Sequence, residues 1–186
     1  AANGTGHETP ALELSDSHVV CRSHPKASSG VRELFLSLNG VDYGSTGVLY
    51  KYYSQLADLS LSPTGGLVGG GTLVTFIGHG FDAFFGALND TLCRWGNATH
   101  SPVTAPVSIQ PTTLICPTVA QPPGSVDVFI ALNKIDYANL DLDFKYYVAP
   151  SFSSVSPTLG ASSGGVRVTI SGRGFLGFTE DASLGR

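Results

Sequence analysis

The stretch "GGGTLVTFIGHGF", Gly69 to Phe81, decides how this chain folds, because its glycines admit two opposite readings. Glycines crowding both ends of a short apolar run are how a phosphate-gripping loop often looks. Such a loop needs a lysine and a hydroxyl after its last glycine, opening a helix. Here the last glycine is followed by "FDAFFGALND", which has no lysine. A dinucleotide loop needs a strand before its glycines and a helix after them. The β-branched run "TLVTFI" lies between the glycines instead, so the order is wrong. The glycines are left to serve the backbone.

Further along, "GGVRVTISGRGF" at Gly164–Phe175 repeats the pattern 94 residues later, with Gly70, Gly71, Val74, Thr75, Gly78, Gly80 and Phe81 all recurring. The same offset carries "LNGVDYGSTGVLYKYY" (Leu38–Tyr53) onto "LNKIDYANLDLDFKYY" (Leu132–Tyr147), with seven of sixteen positions identical. "SPT" at Ser62 returns at Ser156, and "NGT" at Asn3 returns as "NAT" at Asn97. A repeat that keeps one register along the whole chain is a domain period. Parts of three copies are visible: the late part of one repeat (residues 1–55), one complete repeat (56–148) and the opening of a third (149–186). The chain therefore reads as a stretch of a longer array.

Composition narrows the class. Charged residues are 13% of the chain and Met is absent, while Gly, Pro, Ser and Thr abound, as suits short strands joined by turns. A net charge of −4 and a pI near 5.6 supply no basic face for a phosphate backbone, so nucleic acid is not an expected partner. No apolar run reaches membrane-spanning length, so no membrane insertion by this stretch is expected.

Strand signals dominate. In "SVDVFIALN", Val126, Val128, Ile130 and Leu132 point one way, and in "RELFLSLN" Leu34, Leu36 and Leu38 form the matching face. Leu140, Leu142, Phe144 and Tyr146 alternate again, as do Val48, Tyr50 and Tyr52. Alternation of period two predicts half-buried strands of antiparallel sheets. Asn39-Gly40 is a tight-turn dipeptide; its counterpart Asn133-Lys134 departs from that chemistry, which predicts a differently shaped second loop. "DAFFGALND" has room for one helical turn at most.

Taken in order, "SP…GG·T·VTI·G·GF", "C·WG", "LIC·T", "VDVFIALN··DY" and "F·YY" resemble the IPT/TIG domain, an immunoglobulin-like sandwich of plexins, scatter-factor receptors, fibrocystin-like proteins and Rel-type transcription factors. The resemblance covers the entire chain in successive copies. It implies an all-β fold of tandem immunoglobulin-like, early-set sandwiches. Under it, "GGTLVTFIGHGF" is the second strand and its exit turn, with Gly78 and Gly80 allowing the bend and Phe81 plugging the core.

The resemblance also implies a disulfide between Cys93 in "LCRWG" and Cys116 in "LICPT", since extracellular members often join these two positions. Two buried free thiols in a cytosolic protein are the alternative. Cys21 in "HVVCRSH" aligns with Cys116, and its expected partner, counted from Asn3 as Cys93 is from Asn97, falls just before Ala1. The odd third cysteine is thus expected to pair outside these residues; a free thiol at Cys21 is the other reading.

Three sequons stand in the sequence, at Asn3, Asn89 and Asn97, where six asparagines would give roughly one by chance. All three are candidate N-glycan acceptors beside the disulfide edge. The five histidines show no metal-ligand spacing, and Asp136, Asp141 and Asp143 are too few for a calcium site. No Ser/His/Asp order or paired acid points to catalysis, so neither catalytic residue, cofactor nor metal is expected.

These readings converge on a structural or adhesive glycoprotein, secreted or at the cell surface. Its expected partners are neighbouring repeats, copies of the same protein, or other surface glycoproteins. The alternative is the stalk of a plexin-like receptor ectodomain. A cytosolic transcription factor would need basic DNA-contacting loops that this sequence lacks. Junctions such as "YYVAPSFSS", stiffened by Pro150, predict a semi-rigid rod.

Overall fold

A computed structural model describes residues 6–26, 28–81, 88–97 and 100–175. The chain divides into two compact units, Ala1–Ser54 and Gln55–Arg186. The strands of the first are β1 (Ala11–Leu14), β2 (Val19–Cys21), β3 (Gly30–Leu36) and β4 (Gly44–Tyr52). They pair as two separate antiparallel hairpins, β1 with β2 and β3 with β4.

The second unit contains the complete sandwich. Its strands are β5 (Ala57–Ser62), β6 (Gly65–Leu67), β7 (Leu73–His79), β8 (Leu92–Trp95), β9 (Val103–Thr104), β10 (Ser108–Gln110), β11 (Thr113–Pro117), β12 (Gly124–Ala131) and β13 (Tyr137–Tyr147). One sheet has the order β10-β11-β7-β5 and the other β6-β13-β12-β8-β9. Every pairing is antiparallel except β6 with β13. Beyond the sandwich, β14 (Ser151–Ser156) pairs antiparallel with β15 (Thr169–Arg173). A 3-10 turn at Leu88–Asp90 is the helical element of the stretch "DAFFGALND" that lies within the described residues.

The alternation read from the sequence becomes the core. Val74 and Phe76 of β7, Leu114 of β11, Val128 and Ile130 of β12, and Phe144 and Tyr146 of β13 are all buried, and Phe81 closes one end. Most of the same register positions in the partial copies are exposed, Tyr52 being half-buried. Phe144 is fully buried, whereas its counterpart Tyr50 is 41% exposed; Phe76 is fully buried, whereas its counterpart Ile170 is 56% exposed. Among the described residues, each partial copy holds hairpins alone, and a second sheet over the face is what buries such a side chain.

The repeat extends to irregularities. The register of β3–β4 shifts between Glu33 and Phe35, and that of β12–β13 shifts at the equivalent Asp127 and Phe129. Gly47 takes φ 69° in the first bulge and Asp141 takes φ 53° in the second. There Asn139 Oδ1 accepts from the Asp141 amide at 3.1 Å, much as Ser45 Oγ accepts from Gly47 at 3.1 Å. The loop expected to differ is in fact built alike. Asn39 and Asn133 each accept from the backbone amides two and three residues on, and each donates Nδ2 to an aspartate, Asp42 or Asp136, at 2.7 Å. Lys134 follows at φ 64° where Gly40 has 73°. The asparagine cap holds the left-handed step that glycine would otherwise supply.

The opening glycines separate into distinct duties. Gly80, at φ 101°, does turn the chain. Gly78 does not bend it: a side chain there would meet Leu59 at 2.5 Å and the Ala57 carbonyl at 2.8 Å, so this glycine lets β5 lie close. Gly70 combines φ 74° with a backbone approach, since a Cβ would stand 2.5 Å from the Val119 carbonyl carbon. Its neighbours are laced to that same segment, Gly71 N donating to Thr118 O at 2.8 Å and Gln121 N to Val68 O at 3.0 Å. Gly70→Ala should therefore cost the sandwich about 2–4 kcal/mol. Gly69→Ala, at a position with open space, should change stability by less than about 0.5 kcal/mol. Urea unfolding followed through Trp95, the single tryptophan, reads the complete repeat and checks both values.

Candidate functional site

Of the residues singled out for chemistry or modification, Cys93, Asn89 and Asn97 lie on or beside β8. Alternation along this strand sends Cys93 and Trp95 inward, both fully buried, while Leu92 and Arg94 are half-buried on the other face. Cys93 belongs to the five-stranded sheet and Cys116, on β11, to the four-stranded one. They are disulfide-bonded with Cα atoms 6.4 Å apart, so the covalent link runs between the two sheets.

Trp95 fills the space beside this bridge. Its ring lies 6.2 Å from Phe76 of the opposite sheet and meets Phe144 edge-on at 5.4 Å. Phe144 in turn meets Tyr146 edge-on at 5.0 Å. Such edge contacts add to the large apolar area that aromatic rings bury. The indole N–H donates to Thr104 Oγ1 at 3.1 Å, and Gln121 Nε2 donates to the Trp95 carbonyl at 2.8 Å, so neither polar group is stranded. Burial raises the Tyr146 phenol above its ordinary value of 10.0, against smaller lowering effects from Gln121, Thr118 and the Val119 backbone.

Two features in and just ahead of β8 escaped the sequence reading. Arg94 pairs across the sheet with Phe129, and its guanidinium lies 4.3 Å from that ring and 4.2 Å from the ring of Tyr137. A cation between two rings is attractive, and alternation from Cys93 was the signal that placed Arg94 outward. The other is Thr91, fully buried, whose hydroxyl has no hydrogen-bond partner among the described residues.

The sequons fall on different ground. Asn89 is exposed in the 3-10 turn ahead of β8, and Asn97 is exposed just past its end. Asn3 lies outside the described residues. Cys21, at the end of β2, is exposed and forms no disulfide with another described residue. Of the aspartates weighed against a calcium site, Asp136 accepts from Asn133 in the hairpin loop and Asp141 accepts from Asn139 at 3.1 Å in the β13 bulge. Among the described residues no three His, Cys, Asp or Glu side chains group closely enough to hold a metal. No helix among them is long and apolar enough to cross a membrane.

Two outcomes follow for the bridge and for the phenol. Reducing Cys93–Cys116, or replacing both residues by serine, should destabilise the complete repeat by about 3 kcal/mol in urea, the loop-closure value for a separation of 23 residues. Non-reducing peptide maps should link the Cys93 and Cys116 peptides. Because the folded state holds Tyr146 neutral, its contribution is full below pH 10 and is lost as pH rises through the raised value. Wild type should lose stability over that alkaline range, and Tyr146→Phe should lose less.

Comparison with known proteins places this arrangement. Residues 59–146 and 150–184 match the IPT/TIG domain. Human fibrocystin-L is 33% identical over 119 residues, covering 62% of this chain and 2% of its own length. Among solved structures, the full extracellular region of plexin A4 superposes with a TM-score of 0.48 at 21% identity, covering 80% of this chain and 13% of that one. A structural-genomics protein of unknown function from Bacteroides thetaiotaomicron gives 0.42 at 19% identity, covering 54% and 24%. The chain thus spans a small part of each relative's length. With a disulfide joining two sheets around a buried tryptophan, and with the family's pattern matched twice in succession, this chain belongs to the IPT/TIG domain family.

Proposed function

We propose that this chain is a non-enzymatic structural or adhesive module of a secreted or cell-surface repeat glycoprotein. The observation that supports it most directly is the disulfide between the sheets of a sandwich whose sequence recurs every 94 residues. Disulfides persist in oxidising compartments, which favours the secretory route over the cytosol. The recurrence favours a protein that works by presenting many similar sandwiches, as a scaffold does, with neighbouring repeats or other copies as partners. Sequons at Asn89 and Asn97 on exposed turns, and at Asn3 in the same register as Asn97, fit a glycosylated surface.

The reading extends to a rod or filament. Residues 53–56 are all that separates β4 from β5, and residues 148–150 all that separates β13 from β14. Linkers this short do not behave as flexible coils. Small-angle scattering on a chain of several repeats should give a constant cross-section and a length that grows with repeat number; a compact particle would overturn the filament. Protein made in a eukaryotic secretory host should lose mass on enzymatic release of N-glycans. Secreted protein that leaves Asn97 unmodified would count against the glycoprotein.

A further inference from the structure

The sequon Asn89-Asp90-Thr91 is divided by the fold. Asn89 is exposed, whereas Thr91, two residues later and immediately before β8, is fully buried. Transfer of an N-glycan needs both ends of the triplet, because the enzyme that modifies Asn-X-Thr recognises the hydroxyl as well as the amide. In the folded sandwich the hydroxyl is out of reach. The next residue, Leu92, is paired with Ala131, and Cys93 is paired with Ile130 on one side and Thr104 on the other. Cys93 is also bonded to Cys116. The middle residue, Asp90, lies at the surface 3.7 Å from Lys134 Nζ. Thr91 is fully buried directly ahead of these pairs, so its hydroxyl is open to an enzyme only before this part of the sandwich closes.

A second observation concerns the hydroxyl itself. Thr91 Oγ1 has no hydrogen-bond partner among the described residues. A buried, unsatisfied hydroxyl works against folding, and valine would fill the same space without it. Among the described residues the fold thus gives this oxygen no partner. The triplet gives it a use, provided the oxygen acts before it is buried.

We infer that Asn89 is an N-glycan acceptor only in the reduced, unfolded chain, and that folding with closure of Cys93–Cys116 ends its modification. In the transfer, Asn89 Nδ2 attacks the anomeric carbon of a lipid-linked oligosaccharide diphosphate. The new C–N bond replaces the C–O bond to the diphosphate, the lipid diphosphate departs, and the amide gives up one proton. A glycan placed there is compatible with the final fold, because Asn89 itself stays exposed. Occupancy at Asn89 therefore records how long the sandwich stays open. The inference rests on passage through the secretory route, for which Asn97 serves as an internal reference.

The test uses the full 186-residue chain made in eukaryotic secretory cells, with glycopeptide mass spectrometry of newly made chains. Occupancy at Asn89 relative to Asn97 should rise severalfold when a reductant is added during synthesis, and again in the Cys93→Ser/Cys116→Ser variant. Gly70→Ala, which keeps the cysteines but destabilises the folded sandwich, should raise it as well. In a cell-free arm, microsomal transferase and lipid-linked oligosaccharide should modify Asn89 of reduced, unfolded protein and leave the oxidised, folded protein untouched. An unchanged Asn89 ratio with Asn97 occupied, or transfer to the folded oxidised protein, would overturn the inference while sparing the proposed location. If neither asparagine is modified under any condition, both fall.

Discussion

The distance between two sheets is the constraint on which this sandwich depends. Cys93 and Cys116 set it covalently from opposite sheets, and Trp95, one turn of the pleat from Cys93, fills the gap they leave. An indole in that position requires a partner for its N–H, and Thr104 on the short edge strand β9 provides one at 3.1 Å. The edge strand is therefore held by the core's own polar need as well as by its two ladder positions, Cys93↔Thr104 and Arg94↔Val103. On the outer face the ring contacts of Arg94 with Phe129 and Tyr137 tie β8 to β12 and β13 again. One four-residue strand thus anchors both faces of the sheet.

The first two copies show how local chemistry preserves geometry while residues change. At the bulge of the last hairpin, Gly47 in one copy becomes Asp141 in the next, and both lie at positive φ. A glycine adopts that conformation without a side-chain clash; the aspartate adopts it with its amide held by Asn139. At the hairpin loop, Gly40 becomes Lys134, and the asparagine one residue earlier makes the same three hydrogen bonds in both. The departure from Asn-Gly suggested a different loop because dipeptide rules describe two-residue turns. Here the loop is longer, running from Ala131 to Tyr137, and the asparagine cap decides its shape.

The glycines that first looked like a nucleotide loop illustrate a second lesson. Gly70 and Gly78 are required by other segments of the chain, Val119 and Ala57, which lie far away in sequence. Spacing within the run therefore said little about the duty of each one. What excluded the phosphate reading was the missing lysine and the misplaced strand; what explained the glycines was the repeat.

Much of the fold was legible in one dimension because its causes are local or periodic. Alternation at Val128, Ile130 and Phe144 marks a buried face wherever a strand forms, and a register of 94 residues announces a repeated domain. The sequons and the resemblance carried by "C·WG" and "LIC·T" were equally open to reading. Only the tertiary structure decided which sheet each strand joins: β5 pairs with β7, while β6, three residues later, crosses to β13. Only it separated Asn89 from Thr91, and gave Gly78 its close neighbour in place of a bend. The reason is physical. Alternation is a property of one strand, whereas burial and close approach belong to pairs of segments that meet only when the two sheets close.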